Sequence, residues 1–298
     1  MSQGIVKINF TIGFGNNIFQ YCFGRLLAEQ FGLGLSHAAI TELGVLQRTD
    51  HFDHTLETIV VDDKNYKKVL YSNLRNKNFI INGYFEDYKI FQPHLDKIRG
   101  WFNTVKKSNP SDVVLHLRMQ NRLIQQSHIK NHINASAFKE ALSEFDYENV
   151  HIVTDLEKWE EYKKEDIEKI QDEIAKGPNP PSNSPWVSTE QSLEYINHLI
   201  SGLQDLSPVL HLSGNKTIPG SGGLRGGFMD DFNLIRSFDQ VIIHNSTFSW
   251  WAAVLGPAKK VGIYSPWKIA KPIEDRRNLG ETNYLGWFSW GSADNLYF

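Results

Sequence analysis

The chain has 298 residues, of which 41% are hydrophobic and 22% are charged. This length and composition are those of a globular protein of one or two domains. A net charge of -3 argues against nonspecific nucleic-acid binding, which needs a broad basic surface. Cys22 is the only cysteine, so no intrachain disulfide or cysteine-based metal site can form. Without an apolar leader or a membrane-length apolar run, we expect a cytoplasmic protein, with peripheral membrane association left open.

The N-terminal part of the sequence predicts strands alternating with helices. "IVKINF" alternates apolar and polar residues as a strand does, and "TIGFGNN" leads from it into a helical pattern that Gly32 ends. Further strands are predicted at 58–61 and 79–83, followed by a helical stretch over about 87–102. The polar segment 106–112, which contains Pro110, is the best candidate for a domain boundary.

Beyond this segment the alternation becomes regular, with short apolar runs separated by helical patterns. Strands are predicted at 113–117, 150–154, 208–212, 240–244 and 260–264, and helices at 136–145, 157–175, 190–203, 230–238 and 249–255. Segments 176–186 and 213–227 are predicted loops, rich in proline and glycine respectively. This rhythm is typical of a parallel sheet covered on both faces, so we expect the α/β class with two halves, 1–108 and 109–298, and a crevice between them.

Ligands of such sheets bind outside the carboxyl ends of the strands, where four stretches of this chain fall. "GFGNN" brings glycines to a strand–helix turn, which suits close approach to an anion but equally a plain tight turn. Arg118 follows "HL" at the end of a predicted strand. Its guanidinium suits either the binding of a phosphate or a surface ion pair. Asp155 follows "VHIVT" and suits either a nucleotide hydrogen bond or a cap on the next helix.

The fourth stretch, "HNSTFSWWAAVLG", places Ser246 and Thr247 at a predicted helix start. Either residue is a good N-cap, and no acidic residue stands between Asn245 and Trp251. Because helix starts usually carry Asp or Glu, an acid-free start suits a visiting anion such as a diphosphate. The alternative is an ordinary capped helix with its two tryptophans in the core.

Metal and hydrolase chemistry find little support in the sequence. The pair Asp62–Asp63 is compatible with a metal site, but no third ligand is apparent and a turn after a strand is favoured. No His/Glu cluster has the spacing of a zinc site, and no serine stands in a G-x-S-x-G motif.

Taken together, these motifs resemble those of the α-1,2-fucosyltransferases of glycosyltransferase family 11. "GFGNNIFQY" stands for the family's glycine-rich motif, "GYFEDYKIF" for its aromatic segment, "HLRMQN" for H-x-R-R-G-D and "VTDLEKW" for its acidic segment. The most specific match is "NSTFSWWAAVL" at 245–255, which departs from the family's N-S-T-F-S-W-W-A-A-W-L at one position.

The resemblance implies a GT-B architecture of two Rossmann-like domains, with the acceptor on the first and the donor on the second. It implies an inverting, metal-independent transfer of fucose, without a cofactor, from GDP-fucose to a glycan hydroxyl, α-1,2 to galactose in an oligosaccharide or polysaccharide. Arg118 and His116 would be the catalytic residues. The implied donor contacts are Gly15, Asn16, Asp155, Asn245, Ser246, Thr247 and Phe248.

Three positions depart from the family pattern. Met119 replaces the second arginine of H-x-R-R-G-D, Asn121 replaces its aspartate, and Leu156 replaces a second acidic residue after Asp155. One cationic contact to the leaving diphosphate is therefore missing. Two alternatives stay open: a GT-B glycosyltransferase that uses a different GDP-sugar, and a nucleotide-sugar or glycan-binding protein without catalysis.

Overall fold

The computed structural model describes residues 4–11, 13–72, 74–117, 135–157, 200–213, 228–244 and 246–264. It divides into two compact units, the first ending at Thr104 and the second beginning at Val105. The predicted domain limits, 1–108 and 109–298, and the assignment of acceptor and donor to them stay predictions.

The first unit is built on a five-stranded sheet in the order β3-β2-β1-β5-β4. The strands are β1 (Ile5–Ile8), β2 (Gly34–His37), β3 (Arg48–Thr49), β4 (Thr58–Val61) and β5 (Asn78–Ile81). All neighbouring pairs are parallel except β2 and β3, which pair antiparallel at one edge. The strands predicted at 5–10, 58–61 and 79–83 are thus present, while β2 and β3 were not predicted.

Four α-helices are described in this unit: α1 (Phe14–Phe31), α2 (Tyr66–Leu70), α3 (Tyr88–Phe91) and α4 (Leu95–Arg99). Helix α1 ends as predicted at Gly32, whose φ of 64° is left-handed. The helical stretch predicted over about 87–102 is present from Tyr88 to Arg99, but it is not one regular helix. A 3₁₀ turn at Gln92–His94 separates α3 from α4, because Pro93 cannot continue a regular helix.

The second unit contains a five-stranded sheet in the order β10-β9-β6-β7-β8. Its strands are β6 (Asp112–Leu117), β7 (Asn149–Glu157), β8 (Val209–Ser213), β9 (Gln240–His244) and β10 (Lys260–Tyr264). Every pairing is parallel, and all five strands lie where the apolar runs predicted them. Such runs are expected where both faces of a parallel sheet are covered.

Three helices of this unit are described: α5 (Ala135–Leu142), α6 (Phe228–Ile235) and α7 (Thr247–Leu255). They confirm the helices predicted at 136–145, 230–238 and 249–255, although α5 and α6 are shorter at their ends. The helices predicted at 157–175 and 190–203, and the loops at 176–186 and 213–227, fall largely outside the described residues.

The two faces of β6 contact different partners. Val113, Leu115 and Leu117 belong to one buried cluster with Phe138 and Leu142 of α5. The alternate residue His116 is turned the other way and lies against the first turn of α7, where its ring centroid is 6.0 Å from that of Phe248.

The expected α/β class, with a largely parallel sheet in each half, is confirmed. None of the helices in the described ranges combines the length and apolar character that a membrane crossing requires.

A polar cluster sits on the second sheet near the amino end of β6. His151 Nδ1 lies 2.9 Å from His211 Nε2, and His151 Nε2 lies 3.4 Å from a carboxylate oxygen of Asp112. Because a carboxylate only accepts, Asp112 favours the proton on His151 Nε2, which leaves Nδ1 to accept from His211. Burial, and secondarily the neighbouring His151, lowers the pKa of His211 below its ordinary 6.5.

Stability is therefore expected to fall with acidification through this cluster. The folded state resists protonation of His211, whereas the unfolded chain takes up the proton near pH 6.5. The contribution of His211 to the free energy of unfolding is therefore fully present above that pH. This contribution falls as the pH drops below it. Urea unfolding at pH about 5 and about 7.5 should show a smaller pH dependence for His211→Gln than for the wild type. Exposed His94→Gln is the control, and equal slopes for all three proteins would contradict the assignment.

Candidate active site

The strand order of the second sheet defines a place where connections leave in opposite directions. From β6 the chain moves outward through β7 to the edge strand β8, then returns to the other side of β6 to add β9 and β10. Between β6 and β9 the order therefore reverses. In open α/β sheets a crevice opens at the carboxyl ends of the two strands flanking such a switch point, and ligands bind there.

One side of this switch point is the start of α7. Strand β9 ends at His244 and α7 begins at Thr247, with Ser246 as N-cap in an extended conformation, φ −151° and ψ 130°. The first turn contains no acidic residue, as the sequence predicted. Ser246 and Thr247 are 0% and 7% exposed, respectively, and within the described residues the Ser246 side chain makes no capping hydrogen bond to the helix. The positive end of the helix dipole thus lacks a carboxylate in its first turn.

The other side is the end of β6. His116 is the penultimate residue of the strand and is 4% exposed. Its ring is tilted by 38° against that of Phe248 in α7, and Phe248 also makes an edge contact, at 5.1 Å, with Phe232 of α6. These rings hold the end of β6, the first turn of α7 and α6 in one packed group.

The predicted residues are thus brought together in part. His116, Ser246, Thr247 and Phe248 gather at one switch point, whereas Arg118 and Asn245 lie outside the described residues.

The position predicted for Asp155, after the end of its strand, is wrong. β7 continues to Glu157, with an irregular register between Thr154 and Glu157, because Glu157 still pairs with Ser213 of β8. Asp155 therefore lies within the strand, one residue beyond Thr154, which is opposite Leu117 of β6. A cap on a following helix at this position is excluded, because the strand continues through it. The side chain of Asp155 is outside the described part of the chain.

Strands β1 and β5 are neighbours in the first sheet. The turn that leaves β1 passes through Gly13, with φ 103°, and enters α1, whose second and third residues are Gly15 and Asn16. No acidic residue stands in the first turn of α1 either. Gly15 is buried and Asn16 is half-buried at this edge of the sheet.

Gln20 is a residue that the sequence analysis missed. Its side chain is fully buried in α1, donates from Nε2 to the carbonyl of Gly83 at 2.8 Å, and accepts at Oε1 from the backbone N–H of Thr11 at 3.1 Å. It therefore joins the turn after β1 to the loop after β5, the two stretches quoted above as "GFGNNIFQY" and "GYFEDYKIF". The only signal in the sequence is a glutamine within an otherwise apolar helix pattern.

The acidic pair Asp62–Asp63 forms the turn that the sequence favoured. Asp62 accepts hydrogen bonds from the backbone of Lys64 and Asn65, and Asp63 accepts from that of Tyr84 and Phe85. Both carboxylates thus hold backbone amides. Among the residues that the structure describes, no group of three His, Cys, Asp or Glu side chains could hold a metal ion.

No family model and no curated protein matches this sequence. Three solved structures illustrate what the chain is similar to. NodZ α-1,6-fucosyltransferase co-crystallised with GDP is 11% identical, with 92% of this chain and 99% of that chain covered and a TM-score of 0.46. A mutant of FUT1 from Arabidopsis thaliana in complex with GDP is 11% identical over 88% and 70% of the two chains, with a TM-score of 0.44. Fucosyltransferase NodZ from Bradyrhizobium is 12% identical over 92% and 100%, with a TM-score of 0.43. At this identity no residue role is transferred from them.

Proposed function

We propose that the chain is an inverting glycosyltransferase that moves fucose from GDP-fucose to a glycan hydroxyl, α-1,2 to galactose, in the manner of glycosyltransferase family 11. The observation that carries the proposal is the convergence at one switch point of the two most informative sequence motifs. The end of "HL", at the close of β6, and the start of "STFSWW", at the opening of α7, flank the β6–β9 reversal, and His116 contacts Phe248 across it.

The chemistry follows from charge. Transfer breaks the bond between the anomeric carbon and a β-phosphate oxygen of GDP-fucose, and the acceptor oxygen forms its bond from the opposite face. Negative charge then develops on the departing diphosphate. The acid-free start of α7, with Ser246 and Thr247, supplies amides and hydroxyls to that charge, and Arg118 supplies a guanidinium. Such preorganised electrostatic stabilisation is usually the largest contribution to rate.

The remaining assignments belong to the same proposal. Asp155 and Asn245 would contribute to the donor site with Phe248. Gly15 and Asn16, in the first unit, would be further donor contacts. The acceptor hydroxyl also loses a proton, and a general base worth ~10²–10⁴ in rate would take it. Neither "HLRMQN" nor "NSTFSWWAAVL" contains a carboxylate for that role.

The decisive experiment incubates the purified chain with GDP-fucose or another GDP-sugar and a panel of galactosides, with GDP release and product mass as readouts. Fucose transfer to a terminal galactose is the expected result, unchanged when a chelator is added. Abolition of activity by the chelator would contradict the metal-independent reaction.

The same panel separates the two alternatives that the departures at Met119, Asn121 and Leu156 leave open. Transfer from another GDP-sugar, with none from GDP-fucose, would establish a different donor specificity. Calorimetric binding of GDP without any transfer would establish a binding protein and refute the enzyme.

A further inference from the structure

The loop that leaves β5, residues 82–86, is fixed to the rest of the first unit by its backbone. Gln20 donates to the carbonyl of Gly83 at 2.8 Å, and the Asp63 carboxylate accepts from the N–H groups of Tyr84, at 2.9 Å, and Phe85, at 2.7 Å. Gly83 is required here, because a Cβ would lie 2.9 Å from the backbone nitrogen of Asp63 and from the ring of Phe85. Three consecutive residues of an exit loop are thus immobilised by groups outside it.

Phe85 adds a second, apolar anchor. Its φ of 54° is left-handed, a conformation that costs a residue with a Cβ about 1–2 kcal/mol. Its ring is fully buried, stacks on Phe23 of α1 at 4.0 Å with an interplanar angle of 1°, and meets Tyr66 edge-on. A strained backbone persists only where its surroundings over-determine it, and such residues cluster at ligand-binding positions.

Tyr84 is the residue that this anchoring presents outward. It stands between Gly83 and Phe85, yet its own side chain is 43% exposed. Its backbone is fixed on both sides, so only two side-chain torsions are left to order on binding. It follows β5 at the carboxyl edge of the first sheet, next to β1, and ligands of such sheets bind outside the carboxyl ends of the strands. The exposed polar residues Asn82 and Thr11 stand at the same edge.

We propose that Tyr84 is the platform on which a sugar ring of the acceptor stacks, an inference that rests on the function proposed above. A pyranose ring has one face lined with C–H groups and an edge of hydroxyls. The C–H face packs on an aromatic ring, which is apolar across its face and polar at its tip, while the hydroxyls bond to polar neighbours. A half-exposed tyrosine on a fixed backbone, with Asn82 and Thr11 at the same edge of the sheet, has this complementarity, and its place in the first unit puts it on the proposed acceptor side of the reaction.

Tyr71 offers a matched comparison within the same unit. It is 89% exposed and follows the end of α2, where its N–H donates to the carbonyl of Lys67 as at any helix end. Within the described residues it has neither a carboxylate clamp nor a left-handed neighbour. If exposure of an aromatic ring were enough for sugar binding, the two tyrosines would behave alike. If a fixed backbone around the exposed ring is also required, only Tyr84 will contribute to sugar binding.

The test measures acceptor binding and turnover separately. Calorimetry and saturation-transfer NMR with the galactoside panel, without donor, should show weaker binding and lost ring contacts for Tyr84→Ala. The acceptor KM should rise roughly three- to tenfold, the range expected from one aromatic contact, while the KM for GDP-fucose stays within about twofold. Tyr84→Phe should keep wild-type affinity within about twofold, because it retains the ring, and Tyr71→Ala should match the wild type.

Two results would overturn the platform: acceptor affinity no lower in Tyr84→Ala than in Tyr71→Ala, or a loss confined to GDP-fucose. The proposed function can fail separately. Galactoside binding that depends on Tyr84 in a chain that transfers no fucose would retain the platform and refute the reaction. Fucose transfer with an unchanged acceptor KM in Tyr84→Ala would retain the reaction and refute the platform.

Discussion

Replacing Arg118 with alanine is expected to slow fucosyl transfer by at least ~10², because one guanidinium would then be missing from the charge on the leaving diphosphate. Met119 takes the place where the family pattern has a second arginine, so the next position in the sequence carries no second cation. Arg118→Lys should recover part of the loss, since lysine keeps the charge but not the bidentate fork. The measurement is kcat/KM for GDP-fucose at saturating acceptor, together with the Kd of GDP by calorimetry.

Exposed Arg75→Ala is the matched control, because it removes the same group at a distance in sequence from every predicted site motif. It should leave kcat/KM unchanged within about twofold. A loss of kcat larger than the loss of GDP affinity would place the contact mainly in the transition state. Turnover unchanged in Arg118→Ala would refute the phosphate role.

Replacing Trp251 with alanine is expected to destabilise the second unit by about 3–5 kcal/mol, the cost of removing a large buried aromatic side chain. Trp251 is 0% exposed and packs edge-on against Trp250 at a centroid distance of 4.8 Å. Both belong to α7, whose buried residues run from Thr247 to Val254 with little interruption. The two tryptophan side chains anchor α7 in the core. Without them, the backbone amides at the start of α7 would no longer keep a fixed orientation.

Hydrogen exchange shows which segments of the chain the substitution destabilises. Peptides that cover β9 and α7 should lose protection in Trp251→Ala, whereas those covering β1 and α1 should keep it, because they belong to the other unit. Leu46→Ala, at a side chain that is 78% exposed, should change stability by no more than about 0.5 kcal/mol. Wild-type protection of β9 and α7 in Trp251→Ala would show that the helix does not depend on this side chain.

The second sheet was predictable because each strand is a short apolar run that period and length distinguish from a helix. Val113, Leu115 and Leu117 alternate toward one buried cluster, to which Val150 and Ile152 of β7 and Ile242 of β9 also belong. Strand β2, "GLSH", escaped prediction because it is short and half polar. Its identity comes from parallel pairing with β1, which places Gly34 opposite Ile5, and such pairing between distant residues leaves no local mark.

The candidate site divides in the same way. Residue types at strand ends were enough to single out His116, Ser246 and Thr247, since strand ends and helix starts have local signatures. That "HL" and "STF" flank one reversal could not be predicted, because strand order is a property of the whole sheet. The bond from Gln20 to Gly83 spans 63 positions and was equally hidden. Asp155 was misplaced because pairing with β8 extends β7 past the apolar run that marked it.

The left-handed backbone at Phe85 has a consequence for the order in which the first unit loses its structure. The left-handed backbone of Phe85 costs about 1–2 kcal/mol, and burial of its ring contributes about 1.5–3 kcal/mol. The net stabilisation is small, so the loop has little stability of its own. What holds it comes from outside the loop, from Phe23 and Gln20 of α1 and from the Asp63 carboxylate. Mild denaturant that breaks these contacts should therefore release Tyr84 while the strands are still paired. Acceptor recognition would then be the first property that the unit loses, well before its sheet melts.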